Sequence, residues 1–237
     1  MIKHYPYQQL GKANHGWLRS SHHFSFAHYY NPLRMGFGTL RVINDDWVAP
    51  NTGFPTHPHQ NMEIISFIRS GEITHKDSEG NQGVTTSGEV QVMSAGTGIR
   101  HSEYNLSKEA LTFYQIWIEP NKMNVSPRWD SKLFPVTEND SELPLLVSGY
   151  PEDNEKALFI HQKARIYGGK VSAQTELSVP IEHQAYVLAS NGNIKLVDGD
   201  TIVEMNKGDG AEVTQMSNIL IRAELDAEVI VIDAPIA

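Results

Sequence analysis

Residues 64–73, IISFIRSGEI, form an apolar segment, a turn at Gly71 and the start of a second apolar segment. Residues 186–194, YVLASNGNI, repeat this order with Gly192 in the place of Gly71. The two glycines are 121 residues apart, and the pair Gly88 and Gly208 has nearly the same offset, 120 residues. A strand–turn–strand pattern that occurs twice at one spacing predicts a domain built twice in one chain.

Short runs of strand type dominate the rest of the chain, and glycine, asparagine, aspartate and serine separate them. The predicted strands are residues 39–43, 63–68, 90–93, 112–118, 186–189, 194–197, 219–222 and 229–232. This spacing is typical of an all-β sandwich or barrel. Helical periodicity is scarce, and only two short segments, residues 121–129 and 155–165, are expected to be helical.

The segment between the two copies marks a domain boundary. Residues 135–151 contain proline, asparagine and aspartate, which favour loops and linkers. We therefore predict an N-terminal domain over residues 1–134 and a C-terminal domain over residues 135–237. The total of 237 residues suits two domains of this size.

Composition excludes several classes of protein. The chain has no cysteine, so a thiol nucleophile, a disulfide and an iron–sulfur cluster are excluded, and a metal would need nitrogen and oxygen ligands. The net charge of −9, without a lysine and arginine cluster, predicts no direct binding to nucleic acid and leaves a protein partner open. No segment has the apolar length of a signal peptide or a membrane span, so a cytoplasmic protein without membrane contact is expected.

Two pairs of polar residues carry the pattern of a metal site. His57 and His59 lie in residues 53–63, GFPTHPHQNME, and His101 and Glu103 lie in residues 88–105. Side chains at i and i+2 of a strand point to the same face, so neighbouring strands would bring four donors together. Three imidazoles and a carboxylate suit iron, manganese, cobalt, nickel, copper or zinc. The second copy carries Ile221 at the place of His101, so one site is expected, not two.

Three features near this pattern leave alternatives open. Glu63 follows His59 by four residues and would share its face on a regular strand, so it could replace Glu103 as the carboxylate. His75 lies on the next strand, where it could contribute to the site, but we expect it to be an exposed residue beside a turn. Residues 22–30, HHFSFAHYY, are expected to pack against the domain, or to line the pocket with one side chain.

Both motifs resemble those of the cupin superfamily. The first resembles the pattern of a glycine, His-x-His and a following glutamate, and the second ends in HSEYN, residues 101–105, with Ser94 in the place of a proline. The chain more specifically resembles the pirin family of bacterial bicupins. That resemblance covers nearly the whole chain, and its strongest parts are residues 13–17, 24–26, 40–46, 56–59 and 93–105.

The resemblance implies a structure and an activity. It implies two tandem jelly-roll barrels that face one another, with a metal ion, iron above the others, only in the N-terminal one. It implies the ligands His57, His59, His101 and Glu103, and thereby favours Glu103 over Glu63. It further implies quercetin 2,3-dioxygenase activity, in which O₂ opens a flavonol ring and carbon monoxide is released. Glu103 would then be the catalytic proton acceptor.

The resemblance also implies an alternative of another class. Relatives in the pirin family include non-enzymatic, metal-containing regulatory proteins that bind a transcription factor or an enzyme, where the metal acts as a redox sensor. In either case we expect a monomer, because the second barrel could cover the first.

Overall fold

The computed structural model describes residues 1–134 and 142–236, in which the regular secondary structure is almost entirely β-strand. The strands in residues 1–134 are β1 (Ile2–Tyr5), β2 (Gly11–Asn14), β3 (Leu18–His22), β4 (Leu40–Val48), β5 (Thr52–His59), β6 (Glu63–Ser70), β7 (Glu72–Asp77), β8 (Gln82–Thr86), β9 (Glu89–Ser94), β10 (Ile99–Asn105), β11 (Leu111–Ile118) and β12 (Arg128–Leu133). The strands in residues 142–236 are β13 (Leu145–Ser148), β14 (Leu158–Phe159), β15 (Arg165–Val171), β16 (Thr175–Pro180), β17 (Gln184–Asn191), β18 (Ile194–Asp198), β19 (Thr201–Met205), β20 (Gly210–Val213), β21 (Asn218–Ala223) and β22 (Ala227–Ala234). Two single-turn 3₁₀ helices cover Tyr7–Gln9 and Pro151–Asp153. The predicted all-β class is confirmed, and the described residues include no helix with the length and apolar character of a membrane span.

The two predicted helices are wrong. Residues 121–127 are irregular, because Asn124 has a positive φ of 55° and Pro127 offers no backbone donor. In residues 158–164 buried and more exposed side chains alternate with a period of two, which fits extended backbone and not a helix. The apolar residues of this segment belong to β14 and to the extended chain after it.

The described residues divide into two compact units. The N-terminal unit contains Gly11–Phe134 and Leu158–Gln162, and the C-terminal unit contains residues 1–10, 142–157 and 163–236. These units differ from the predicted division at two segments. Residues 1–10 belong to the C-terminal unit because β1 pairs with β20 from Ile2 to Tyr5.

Each unit has a large sheet and a four-stranded sheet with corresponding strand orders. In the N-terminal unit the orders are β12-β9-β6-β11-β4-β3-β2 and β5-β10-β7-β8. In the C-terminal unit β20-β17-β22-β15 corresponds to β9-β6-β11-β4, and β16-β21-β18-β19 corresponds to the whole smaller sheet. The repeated sequence pattern therefore reflects two cupin-like domains with the same connections between strands.

The interiors of the two units differ in polarity. In the C-terminal unit Ile221 pairs with Leu177 on one side and Leu196 on the other, and all three side chains are buried in one apolar core. In the N-terminal unit the corresponding strand, β10, carries His101. Burial of apolar side chains stabilises both units, but among the described residues only the N-terminal unit places a group of imidazoles in its interior.

Candidate metal centre

Strands β5 and β10 position the two predicted histidine-containing pairs. They run antiparallel, and His57 lies directly opposite His101. Strand β5 is at the edge of its sheet, where Pro58 can occupy a strand position without removing a ladder hydrogen bond. The predicted convergence of the two strands is therefore present in the structure.

The pairing of β5 with β10 is irregular beside Glu103. The register between β5 and β10 shifts between His101 and Glu103, so that Glu103 lies opposite Phe54. A Cβ at Gly53 would clash with the backbone oxygen of Glu103. Glycine at this position thus permits the close approach of the two strands beside the site.

The three histidines of these strands form one cluster. The ligand atoms of His57, His59 and His101 all lie within 4.8 Å of one another. The Nε2 atoms of His57 and His101 are 3.1 Å apart. Two ligands at right angles around one ion, with metal–nitrogen bonds of about 2.1 Å, would be separated by about 3 Å. The spacing therefore fits a shared metal ion.

The protonation of the cluster also fits a metal site. The Nδ1 atom of His57 donates to the carbonyl oxygen of Pro55 at 2.7 Å, which leaves the lone pair on Nε2. Burial lowers the pKa of His59 to about 4 and that of His101 to about 3, so both rings are neutral at neutral pH. Neutral imidazole is the form that binds a metal.

Glu103 is buried beside the cluster and is held at both oxygens. The side-chain amide of Gln91 donates to Oε1 at 2.6 Å, and that of Gln115 donates to Oε2 at 3.1 Å. Burial raises the pKa of the Glu103 carboxyl, and His75, His57 and His59 oppose that shift. The two amides fix the orientation of the carboxylate relative to the histidines.

These two amides belong to a row of polar residues across the large sheet. His22, Asn44, Gln115, Ser66 and Gln91 occupy successive cross-strand positions on β3, β4, β11, β6 and β9. Within the row, the ring of His22 hydrogen-bonds Asn44 at 2.7 Å and Gln91 donates to Ser66 at 3.3 Å. Cross-strand neighbours lie side by side, so the row holds Gln91 and Gln115 in position to hydrogen-bond Glu103.

The expectation that His75 is exposed is wrong. Its side chain is fully buried and stacks on Trp129, because β7 pairs with β10 and places His75 opposite Glu103. Its Nε2 atom hydrogen-bonds Asp77 at 2.9 Å, and its Nδ1 atom has no partner among the described residues. His75, His101 and Glu103 form a second group whose ligand atoms lie within 4.8 Å.

Glu63 occupies a different environment. It is buried, accepts a hydrogen bond from the hydroxyl of Ser94 at 2.7 Å and another from the backbone of His161, and belongs to neither group of potential ligands in the described residues. Burial raises the pKa of its carboxyl to about 7. Glu63 is therefore an acid of the protein interior with its own partners.

The raised pKa of Glu63 predicts a pH effect on stability. An acid whose pKa is higher in the folded state destabilises the fold as pH rises from its unfolded value, 4.5, to its folded value, about 7. Glu63→Gln is expected to remove this loss, which corresponds to up to about 3 kcal/mol. Urea unfolding of both proteins across this pH range measures it. If the free energy of unfolding changes equally with pH in the two proteins, Glu63 does not titrate in this range.

A cavity of about 350 Å³ opens beside the histidines in the N-terminal unit. Its lining residues are Ala13, His15, Leu18, Ser20, His22, Phe26, Ala27, Asn44, Asp46, Phe54, Pro55, Thr56, His57, His59, Glu103, Gln115 and Trp117. Its volume lies in the range of small-molecule sites, about 300–1,000 Å³. His22 and Phe26 come from the segment for which packing or one pocket-lining side chain was expected.

Several lining residues were not identified from the sequence, among them Asn44, Asp46, Gln115 and Trp117. The signal that could have found them is local. Asn44 and Asp46, like Gln115 and Trp117, are i and i+2 positions, and therefore share one face of β4 and β11. Polar side chains on that face are unusual in strands that are otherwise buried and apolar.

Comparison with known proteins agrees with this architecture. The family model "Pirin" matches residues 4–118, and the model "Quercetinase C-terminal cupin domain" matches residues 145–234. A pirin-like protein of Caulobacter vibrioides is 46% identical over 99% of this chain and 100% of its own length. Quercetin 2,3-dioxygenase of Escherichia coli is 40% identical over 96% of both chains.

A solved structure of a bacterial pirin is similar to this chain over its whole length. The crystal structure of the bacterial pirin YhhW from Escherichia coli in complex with nickel(II) has a TM-score of 0.91, 39% identity and coverage of 100% of both chains. Two cupin-like domains, with imidazoles gathered in one of them, define the class as a bicupin. The chain belongs to the pirin family.

Proposed function

We propose that this protein is a metal-dependent dioxygenase that cleaves the ring of a flavonol such as quercetin with O₂ and releases carbon monoxide. The observation that carries the proposal is the cluster of His57, His59 and His101 beside buried Glu103, at the wall of a largely apolar cavity. The name of the Escherichia coli relative, at 40% identity, supports the same reaction.

The proposed site holds one divalent transition metal ion. Its proposed ligands are His57, His59, His101 and Glu103. Imidazole nitrogen and carboxylate oxygen are ligand types that suit such an ion. The nickel(II) complex of the related pirin supports a divalent metal and does not identify which metal this protein binds. The ion would supply Lewis acidity toward a hydroxyl oxygen, and a redox-active ion such as iron would also supply an electron-transfer centre for the reaction with O₂.

Glu103 is proposed as the proton acceptor for the flavonol 3-hydroxyl. Its carboxylate lines the cavity, and Gln91 and Gln115 hold its two oxygens in place. Removal of the proton gives the electron-rich flavonolate that reacts with O₂. A positioned base typically contributes about 10²–10⁴-fold to the rate.

Aromatic side chains shape the rest of the proposed substrate site. Phe26, Phe54 and Trp117 line the cavity, and the ring of Trp117 lies edge-on to His59 with centroids 5.0 Å apart. Flat apolar walls suit a planar aromatic substrate and exclude water from the reacting ring. This chain thus supplies orientation and a dry environment beside the ligands.

The test begins with elemental analysis of the protein purified without added metal. The protein is then loaded separately with iron, manganese, cobalt, nickel, copper and zinc, and quercetin loss and carbon monoxide release are measured under air. Ring cleavage with at least one of these metals is expected. A protein that cleaves no quercetin with any of these metals would contradict the proposed quercetin cleavage and favour the regulatory alternative or a different substrate.

A further inference from the structure

The cavity wall contains a second buried acid, Asp46 on β4. Its side chain is 3% exposed, and it lines the cavity together with Ser20. Ser20 donates a hydrogen bond to the carboxyl group, but Oδ1 has no hydrogen-bond partner among the described residues. A buried oxygen without a partner is costly and therefore points to a ligand that completes it.

The sheet register places Asp46 away from the proposed proton acceptor. Asp46 lies opposite Ser20 on β3 and opposite Phe113 on β11. Gln115, which hydrogen-bonds Glu103, is therefore its diagonal neighbour, at a typical separation of about 7–8 Å. A ligand with one end at Glu103 would reach Asp46 with a group further along its ring system.

The carboxyl group of Asp46 suits a hydroxyl partner. Burial, together with the nearby charges of Asp45 and Glu103, raises the pKa of Asp46 to about 7. Near neutral pH the group is therefore present partly as an acid, which can donate one hydrogen bond and accept another. A phenolic hydroxyl offers the complementary donor and acceptor.

Glu63 is a second buried acid, and its surroundings differ from those of Asp46. It is also buried in the N-terminal unit, with its pKa also raised to about 7. It lies outside the cavity lining, and Ser94 and the backbone of His161 hydrogen-bond it. Among these two acids only Asp46 combines an oxygen without a partner and a position at the cavity.

We propose that Asp46, held by Ser20, hydrogen-bonds a ring hydroxyl of the substrate at a distance from the reacting 3-hydroxyl. Asp46 thereby gives the site a preference for polyhydroxylated flavonols over those without ring hydroxyls. This inference rests on the proposed function for the class of ligand, and it adds a residue that determines specificity.

The test compares two ligands that share the 3-hydroxyl: quercetin, which has further ring hydroxyls, and 3-hydroxyflavone, which has none. Their dissociation constants are measured for the metal-loaded protein by quenching of tryptophan fluorescence without O₂, so that no turnover occurs. The wild type is expected to prefer quercetin by about tenfold, the size of one buried hydrogen bond. Asp46→Leu is expected to reduce this ratio by about tenfold, whereas Asp46→Asn, which keeps a donor and an acceptor, changes it by less than about threefold.

Glu63→Gln is the matched control, because it alters a buried acid outside the cavity and is expected to leave the ratio unchanged. If Asp46→Leu does not give a cooperative thermal transition, Asp46→Ser replaces it: the shorter side chain keeps a polar group but does not reach the ligand, and the same loss is expected. A ratio that stays at the wild-type value in the folded variant overturns the inference, as does a wild type that binds both ligands equally. A wild type that binds neither ligand overturns the flavonol proposal and this inference together, so the two failures are distinguishable.

Discussion

Replacing His101 by alanine is expected to lower the affinity for a divalent metal by at least about 100-fold and to abolish flavonol cleavage. His101 is the one residue that belongs to both groups of potential ligands in the described part of the chain. Even residues that only orient metal ligands typically contribute 10- to 100-fold to affinity, and a direct ligand contributes more. Metal content after gel filtration and carbon monoxide release measure the two effects.

The control for this variant is His28→Ala, which removes an exposed histidine outside the cluster. It is expected to retain both metal and activity. Because His101 is buried, circular dichroism and a thermal transition must show that the variant folds. A folded His101→Ala protein with full metal content would refute the proposed ligand set.

The histidine pairs were predictable because they depend on a local property of strands. Alternation of side chains puts His57 with His59, and His101 with Glu103, wherever the strands lie. The pairing of β5 with β10 could only be assumed, because it joins residues forty or more positions apart. The burial of His75 was not predicted for the same reason, because it follows from the pairing of β7 with β10.

Glu63 shows how a local rule fails at a break in a strand. The face that it would share with His59 was inferred for a regular strand, but β5 ends at His59 and β6 begins at Glu63. Between them Asn61 has a positive φ of 48°, which turns the chain. Alternation therefore starts again in β6, and Glu63 meets Ser94 instead of the histidines.

The cavity was the least predictable part of the candidate site. Its polar lining residues His22, Asn44 and Gln115 come from β3, β4 and β11, so no short motif contains them. The doubled fold was predictable for the opposite reason, since a repeated order of strands and turns is visible along the chain. Residues 1–10 were predicted in the N-terminal domain but belong to the C-terminal unit. Their place depends on the pairing of β1 with β20, which no sequence pattern indicated.

Replacing Glu103 by glutamine is expected to reduce flavonol cleavage by about 100-fold or more while the protein keeps part of its metal. The change preserves size but removes the negative charge and the capacity to accept the substrate proton. The three clustered histidines remain, so metal binding weakens without being lost. Titration of the metal-free protein, followed by single-turnover assays at saturating metal, separates the loss of affinity from the loss of rate.

Glu63→Gln makes the same chemical change at another buried glutamate and is expected to leave the rate unchanged, because Glu63 is outside the cavity lining. If Glu103 were only a metal ligand, saturating metal would restore the rate of Glu103→Gln. If it is also the proton acceptor, the rate stays low at full metal loading. A folded Glu103→Gln protein with full turnover at full loading would exclude Glu103 as the base and leave it with the role of a metal ligand alone.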